Sequence, residues 1–376
     1  DIIIEILSRL NIKSVYQCHY VCTRFHKMMS TPSFISMHLN QNRGKPIIVL
    51  CLSEYVRMHH QNPDVYKIPL LFIDEGNNQI WRTKVKFKLN YKPSLYPSLP
   101  DLIGSYNGLL LFKHENNDVL IIFNPITQEH VHVTFPSADY ELCGFYFHTP
   151  TREYRILYML QQLNKPCRYF VYSLKNKLLR EISNHTEAPC TCLSPIILNG
   201  VLLWMAYVGD QRLCINRKPG DCSKSILVFK MDSEEFITMP HPGSQCQSNE
   251  RHRVRMHLLE MEGQLCFCDI SSPTGEGYDA EVYIWVLKDF TKQIWVRKYI
   301  VSLSHMSKFR NDFHWDPLVE LLQIRNNELL LRKGQYNLFC YHLVLDTFRK
   351  VDMGSIVIMK SVVIHTNSLV SLQTSI

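Results

Sequence analysis

Two cysteine pairs come first among residues that could do chemistry. Cys190-x-Cys192 and Cys266-x-Cys268 space two thiols so that a strand would put both on one face. Such a pair could ligate a metal or cycle through a disulfide. A structural zinc site, however, ordinarily uses Cys-x-x-Cys spacing, and buried strand cysteines are the plainer reading. His59-His60 and the group His241, His252 and His257 read as exposed loop residues rather than ligands. No serine nucleophile elbow, Walker loop, dinucleotide fingerprint or His-Glu-x-x-His occurs, so no nucleophile, metal or cofactor is assigned. What remains is binding chemistry. The stretch "HPGSQCQSNERHRVRMH" is long, polar and basic, with Arg251, Arg253 and Arg255 alternating. It reads either as a solvated loop or as a contact for an acidic patch on a bound target. "NRKPGDCSK" and "SSPTGEGYD" are similar loops.

The totals say what kind of frame must carry such loops. A chain of 376 residues with 46% apolar residues suits one large repeat domain plus a small one. A formal charge of +7 without a Lys/Arg block gives no strong reason to invoke nucleic acid. No apolar run reaches membrane-spanning length, so no membrane partner is expected. Thirteen cysteines, several inside apolar runs such as "IIVLCL" and "NLFCYHLVL", fit free thiols in a reducing compartment, cytoplasmic or nuclear. No secretory signal is visible, and the chain begins at Asp1 rather than Met, so a preceding segment is expected.

From about Pro46 the chain is a series of short apolar runs bounded by turn residues, and the runs repeat. One unit is a strand opening on Asn-Gly or its like: "NGLLLF", "NGVLLWM", "EGQLCFC" and "NNELLL". The second is a hairpin, as in "YFVYSLKNKLLREI" and "ILVFKMDSEEFITM". Its turn markers Lys175, Asp232, Asp289 and Asp346 are 57 residues apart each time. Hairpins are also expected at Leu70 and Phe145. Several strands at a period of about fifty residues predict a β-propeller of kelch-like repeats with six or seven blades. The alternative is a pair of β-sandwiches. "SVVIHTNSLVSL" and "KPIIVLCL" could pair to close the ring.

The first forty residues have helical spacing instead. Ile2, Ile3, Ile6, Leu7 and Leu10 mark one helix. Val15, Cys18, Val21, Cys22, Phe25, Met28 and Met29 form a second stripe, for which Ser14 and Gln17 would make a capping box. Thr31-Pro32 starts a third helix through Phe34, Met37 and His38, with Thr31 as N-cap. Three short helices are marginal alone. Their surplus apolar surface must cover either the β region or another protein.

The opening resembles an F-box. Ile6-Leu7, Arg9-Leu10, Lys13-Ser14-Val15, Val21-Cys22, Pro32-x-Phe34 and His38-Leu39 match that pattern in order and spacing over residues 1–40. Asn11 stands where Pro is usual, Phe25 where Trp is usual, and the leading Leu-Pro is absent. Residues 46–376 resemble a plant F-box-associated domain. The carrying pieces are Gly104-Ser105-x-Asn107-Gly108-Leu109, Phe123-Asn124-Pro125 with Thr127, Phe135-Pro136, Pro150-x-x-x-Tyr154, Asn199-Gly200 and Ser368 to Leu372. Phe123 replaces the more usual Trp.

The resemblance implies a non-catalytic substrate receptor of a Skp1–cullin–F-box ubiquitin ligase. The helices would bind a Skp1-type adaptor, and through it a cullin. The β region would hold a target protein. Adaptor-facing residues under this reading are Ile6, Leu7, Leu10, Ile12, Ser14, Val15, Val21, Cys22, Phe25, Met28 and Met29, with Arg251, Arg253 and Arg255 as the candidate target loop. The sequence is also compatible with the pollen-side receptors of the S-locus group. Other readings are an interaction scaffold without ligase function, or a propeller with its own small-molecule site.

Overall fold

A computed structural model describes residues 2–18, 20–42, 45–53, 65–88, 99–114, 119–135, 139–160, 166–185, 187–191, 194–207, 222–243, 255–271, 280–304, 319–354 and 358–372. Four helices lead: α1 (Ile2–Arg9), α2 (Ile12–Cys18), α3 (Thr23–Met29) and α4 (Pro32–Asn42). The second stripe is therefore two helices rather than one. Tyr20 and Val21 donate back to the carbonyls of Gln17 and Cys18 at 3.1 Å, a tightening that ends α2. Cys22 is then extended, at φ −158° and ψ 162°, before α3 begins.

The cap of α2 also differs from expectation. Asn11, not Ser14, is the N-cap: its Oδ1 accepts from the Ser14 N–H at 2.9 Å. The residue that replaces the usual Pro thus supplies its own stop and start. Thr31 caps α4 as expected, with Oγ1 accepting from the Phe34 N–H at 3.3 Å.

Apart from single 3-10 turns at Glu75–Asn77 and Cys222–Lys224, the remaining regular elements among the described residues are strands, and they fall in two compact units, residues 1–138 with 352–376 and residues 139–351. In the first unit β1 (Ile47–Leu52), β2 (Val65–Asp74) and β3 (Gln79–Lys88) form one antiparallel sheet. A second comprises β4 (Asp101–Tyr106), β5 (Leu109–His114), β6 (Val119–Phe123) and β7 (His130–Thr134). The second unit opens with the sheet of β8 (Tyr140–His148), β9 (Glu153–Leu160), β10 (Cys167–Ser173) and β11 (Leu179–His185). Next come β12 (Ala188–Pro189), β13 (Ile196–Leu198), β14 (Val201–Tyr207), β15 (Ile226–Lys230) and β16 (Glu235–Met239). Then follow β17 (Met256–Met261), β18 (Gln264–Ser271), β19 (Glu281–Asp289) and β20 (Ile294–Ser302), and β21 (Val319–Arg325), β22 (Glu328–Lys333), β23 (Asn337–His342) and β24 (Thr347–Lys350). A parallel bridge, Met261 to Ile324, joins these last two sets. The last strand, β25 (Met359–His365), returns to the first unit and pairs β1 antiparallel, with Val49 opposite Val363. The pairing of the late and early apolar runs is thus present.

The turns explain the repeat. Asn107-Gly108, Asn199-Gly200, Glu262-Gly263 and Asn326-Asn327 all have positive φ at both residues, between 47° and 82°. Two left-handed residues in succession make the turn whose twist suits a tight hairpin. The other hairpins place one left-handed residue each, at Lys177, Glu234, Gln293 and Asp346. Lys177 to Glu234 keeps the 57-residue step, and the next two steps are 59 and 53 residues.

The first unit's core joins its two sheets. Phe87 of β3 meets Phe112 of β5 at 5.4 Å and Phe123 of β6 at 5.6 Å between ring centroids. Between β25 and β4, His365 Nδ1 lies 2.9 Å from Ser105 Oγ. Burial pushes the His365 imidazole down to about 4 from its ordinary 6.5. The unfolded chain binds this proton more readily than the folded one. Stability is therefore complete above pH 6.5 and declines as pH falls towards about 4. Urea midpoints measured across that window should drop for the wild type, and His365→Asn should flatten the slope.

Candidate functional site

The helices share one small core. Leu7 of α1, Ile12 and Val15 of α2, Met29 of α3 and Phe34 of α4 are buried together with Leu369 from the C-terminal segment. Half-buried Leu10, Phe25, Met28 and Ile126 pack against them. Phe25 fills its place as an apolar ring where an indole is more usual. His38 of α4 reaches back so that Nε2 lies 3.1 Å from the Leu10 carbonyl, satisfying an orphan acceptor beyond the end of α1. Burial lowers the His38 pKa, which keeps the ring neutral.

Leu369 and Ile126 come from the β unit, and one buried amide sets both. Asn124 is fully buried. Its Nδ2 donates to the carbonyls of Ser368 at 3.1 Å and Val370 at 2.7 Å. Its Oδ1 accepts from the backbone N–H groups of Ile126 at 2.8 Å and Thr127 at 3.3 Å. All four of its hydrogen-bonding positions are used. Glu129 adds bonds from Leu372 N–H at 2.7 Å and Ser371 Oγ at 3.1 Å. Ser368 Oγ donates to the Asn107 carbonyl at 2.7 Å, and a β-carbon on Gly108 would run into Ser368. The separate motif pieces at 107–108, 124–127 and 368–372 thus converge on one junction beneath the helices.

The proposed contact residues divide in this arrangement. Leu7, Ile12, Val15 and Met29 are buried in the helical core. Leu10, Ser14, Phe25 and Met28 are half-buried, and Cys22 is exposed. Ile6 is 56% exposed and Val21 68%, alongside exposed Ile2, Ile3 and Tyr20. Of fourteen exposed large apolar side chains among the described residues, five fall within the first 21 positions. Three of the five lie on α1, and Tyr20 and Val21 lie in the turn between α2 and α3.

Arg251 and Arg253 lie outside the described residues. Arg255 is exposed at the start of β17, its carbonyl accepting from Ile270 N–H at 2.9 Å. Two histidines correct the reading from sequence. His241, in the loop after β16, and His257, within β17, are both buried rather than exposed, and His241 stacks on Phe267 with centroids 5.3 Å apart. His59, His60 and His252 lie outside the described residues, as does Cys192. Cys266 and Cys268 are buried in β18; burial pushes the Cys266 thiol up to about 12 and raises that of Cys268 well above its ordinary value. Both stay protonated, poor nucleophiles and poor ligands.

One convergent charged set went unread in the sequence. Arg155 lies between the carboxylates of Glu153 and Glu234, with bonds of 2.6 Å to each. Tyr146, Arg180, Ser173 and Thr151 complete the group. Burial pushes Glu153 up, but bonds from Ser173, Arg155 and Thr151 outweigh it and hold its carboxyl below the ordinary value. Its charges are consumed by one another, which makes it a tie between β9 and the turn before β16. Positions 153 and 155 read as ordinary strand, since only the fold brings residue 234 to them.

With the sheets, turns and junction in place, the class is a β-propeller domain. Residues 60–372 match the F-box associated β-propeller domain family, and the chain belongs to that family. Across 98% of its length it is similar to an F-box protein of Arabidopsis thaliana, at 23% identity over 90% of that protein. It is also similar to an F-box/kelch-repeat protein of Arabidopsis thaliana, at 23% identity, covering 86% of this chain and 84% of that one. Among solved structures, a chain of a nidogen/laminin complex overlays with a TM-score of 0.47 at 11% identity, covering 86% and 99%. No helix among the described residues is long and apolar enough to cross a membrane.

Replacing Asn124 by Leu strands two carbonyls and two N–H groups. It should cost about 2–4 kcal/mol. Native-state hydrogen exchange should quicken first at residues 368–372 and in the helices, before the rest of the first unit responds.

Proposed function

We propose that this chain is the substrate-recognition subunit of a Skp1–cullin–F-box ubiquitin ligase. Helices α1–α3 dock a Skp1-type adaptor, and residues 46–376 hold a target protein. The chain itself makes no bond. Its contribution is to raise the effective concentration of the target beside ubiquitin carried on other subunits. The observation that carries the reading is the apolar exposure of Ile2, Ile3 and Ile6 on α1 and of Tyr20 and Val21 in the turn after α2, in a module whose core is already packed with Ile126 and Leu369. A helical module that served only to cap a core would spend its apolar residues on that core. The similarity of the chain to F-box proteins over nearly its full length supports the same reading.

Ile6→Glu with Val21→Glu places two charges on the exposed face without touching the helical core. Co-purification with a Skp1-type adaptor should be lost, while the melting temperature stays within about 2 °C of wild type. Wild-type chain that fails to capture the adaptor, with any preceding segment restored, sinks the ligase reading. Loss of adaptor capture together with unfolding of the sheets would instead mark the helices as a core cap.

A further inference from the structure

The hairpin of β19 and β20 gathers a second group of exposed apolar side chains. Phe290 in its turn and Ile294, Val296 and Ile300 on β20 make four of the fourteen among the described residues. The three on β20 are 46%, 47% and 51% exposed. β20, with the sequence "IWVRKYIVS", ends its sheet and pairs with β19 but with no other described strand. Its outer edge therefore presents a row of backbone N–H and C=O groups over nine residues.

Strands that end a sheet are ordinarily protected by shortness or by charge. Five others follow that rule. β24, β7 and β16 are only four or five residues long. β11 carries Arg180 and Glu181, and β3 carries four cations among its ten residues. Among the described side chains of these five strands, Ile80 alone is a large exposed apolar group. β20 is both long and apolar.

The register of β20 and its charges say what fits this edge. Arg297 stands opposite Trp285 and Tyr299 opposite Ile284, so Lys298 is bulged with no residue facing it. Val296 shares a face with Val286, while Ile300 beyond the bulge shares the other face with Tyr283. A strand added here meets apolar neighbours on both of its faces. Lys288, Lys292, Arg297 and Lys298 are exposed, and none forms an ion pair among the described residues. Arg297 lies 5.8 Å from the Tyr283 ring centroid and Lys298 5.0 Å from that of Tyr299. Such contacts hold a cation in place without cancelling its charge. The acids of the hairpin are engaged: Glu281 accepts from the Tyr283 hydroxyl at 2.6 Å, and Asp289 from the Lys292 N–H at 2.8 Å. Two copies of β20 paired antiparallel about the middle would set Arg297 and Lys298 of each beside those of the other, and opposed like charges are destabilising. The edge thus disfavours a second copy of this chain and favours an acidic strand.

We propose that β20 accepts an added strand from another polypeptide, an extended segment with apolar residues towards its ends and carboxylates at its middle. Main-chain hydrogen bonds along the edge supply affinity. Ile294, Val296 and Ile300 supply apolar contact, and the cations set register. That the segment belongs to a target for ubiquitination rests on the receptor reading; the open edge does not.

The probe is a fluorescein-labelled peptide of alternating Thr and Val with two Glu at its centre, titrated by anisotropy into the full chain. Wild type should bind it, more weakly as salt rises, and should bind the same peptide with two central Lys at least about tenfold less. A strand pairs through one edge only. N-methylation of one alternate set of peptide residues should therefore abolish binding, and of the other set should be tolerated. On binding, hydrogen exchange should slow at alternate amides of β20. Ile294→Thr, Val296→Thr and Ile300→Thr together keep strand-forming residues and should weaken binding by more than about tenfold. The methylated peptides act on wild type, so their result stands whether or not that variant folds. Absence of binding to wild type, equal loss with both methylated sets, or slowed exchange elsewhere than β20 overturns the proposal. So does a concentration-dependent wild-type dimer that the threonine variant loses, which assigns the edge to a second copy. Adaptor capture is read in parallel. Peptide binding without adaptor capture removes the receptor reading and leaves the edge standing; capture without peptide binding does the reverse.

Discussion

A single buried amide holds the front of this protein together. Asn124 spends both N–H groups on the carbonyls of Ser368 and Val370 and both lone pairs on its own turn. Left unmade inside a dry core, any of these bonds would cost more than it contributes when made. The amide therefore dictates where the C-terminal segment lies. That segment carries Leu369, and the turn carries Ile126, and both enter the core of the helices. Short helices of seven to eleven residues have little stability of their own. Their place on the first unit comes from this junction.

The same economy explains the helical face. Four short helices cannot bury every apolar side chain they carry. Leu7, Ile12, Val15 and Met29 are used inward, and Ile6 and Val21 are left out. The division follows from rotation about each helix and from the break at Tyr20–Cys22, which separates α2 from α3. A surface of this kind joins a rigid frame to a partner without any moving part. Chemistry, where the proposed assembly performs it, belongs to other subunits.

One group of charges is answered from within. Arg155 with Glu153 and Glu234 is a closed set, every charge answered within it. Such a set stiffens the second unit but has nothing left to offer a ligand. It is invisible to overall composition.

The strands, the hairpin turns and the opening helices were legible in the chain alone. Asn-Gly pairs demand left-handed backbone and so declare hairpins, and helical spacing between Ile2 and His38 declares helices. These are local signals, decided by neighbours within a few residues. The family motifs were legible too, but only as a pattern. Why Asn107, Asn124 and Ser368 recur together depends on bonds spanning 244 to 261 residues, which no local rule contains. Burial of His241 and His257, the split of the helical apolar stripe into core and surface, and the closed charge set around Arg155 were likewise decided by long-range packing. A side chain's type says what it can do; only its neighbours in space settle whether it is spent on the fold or left for a partner.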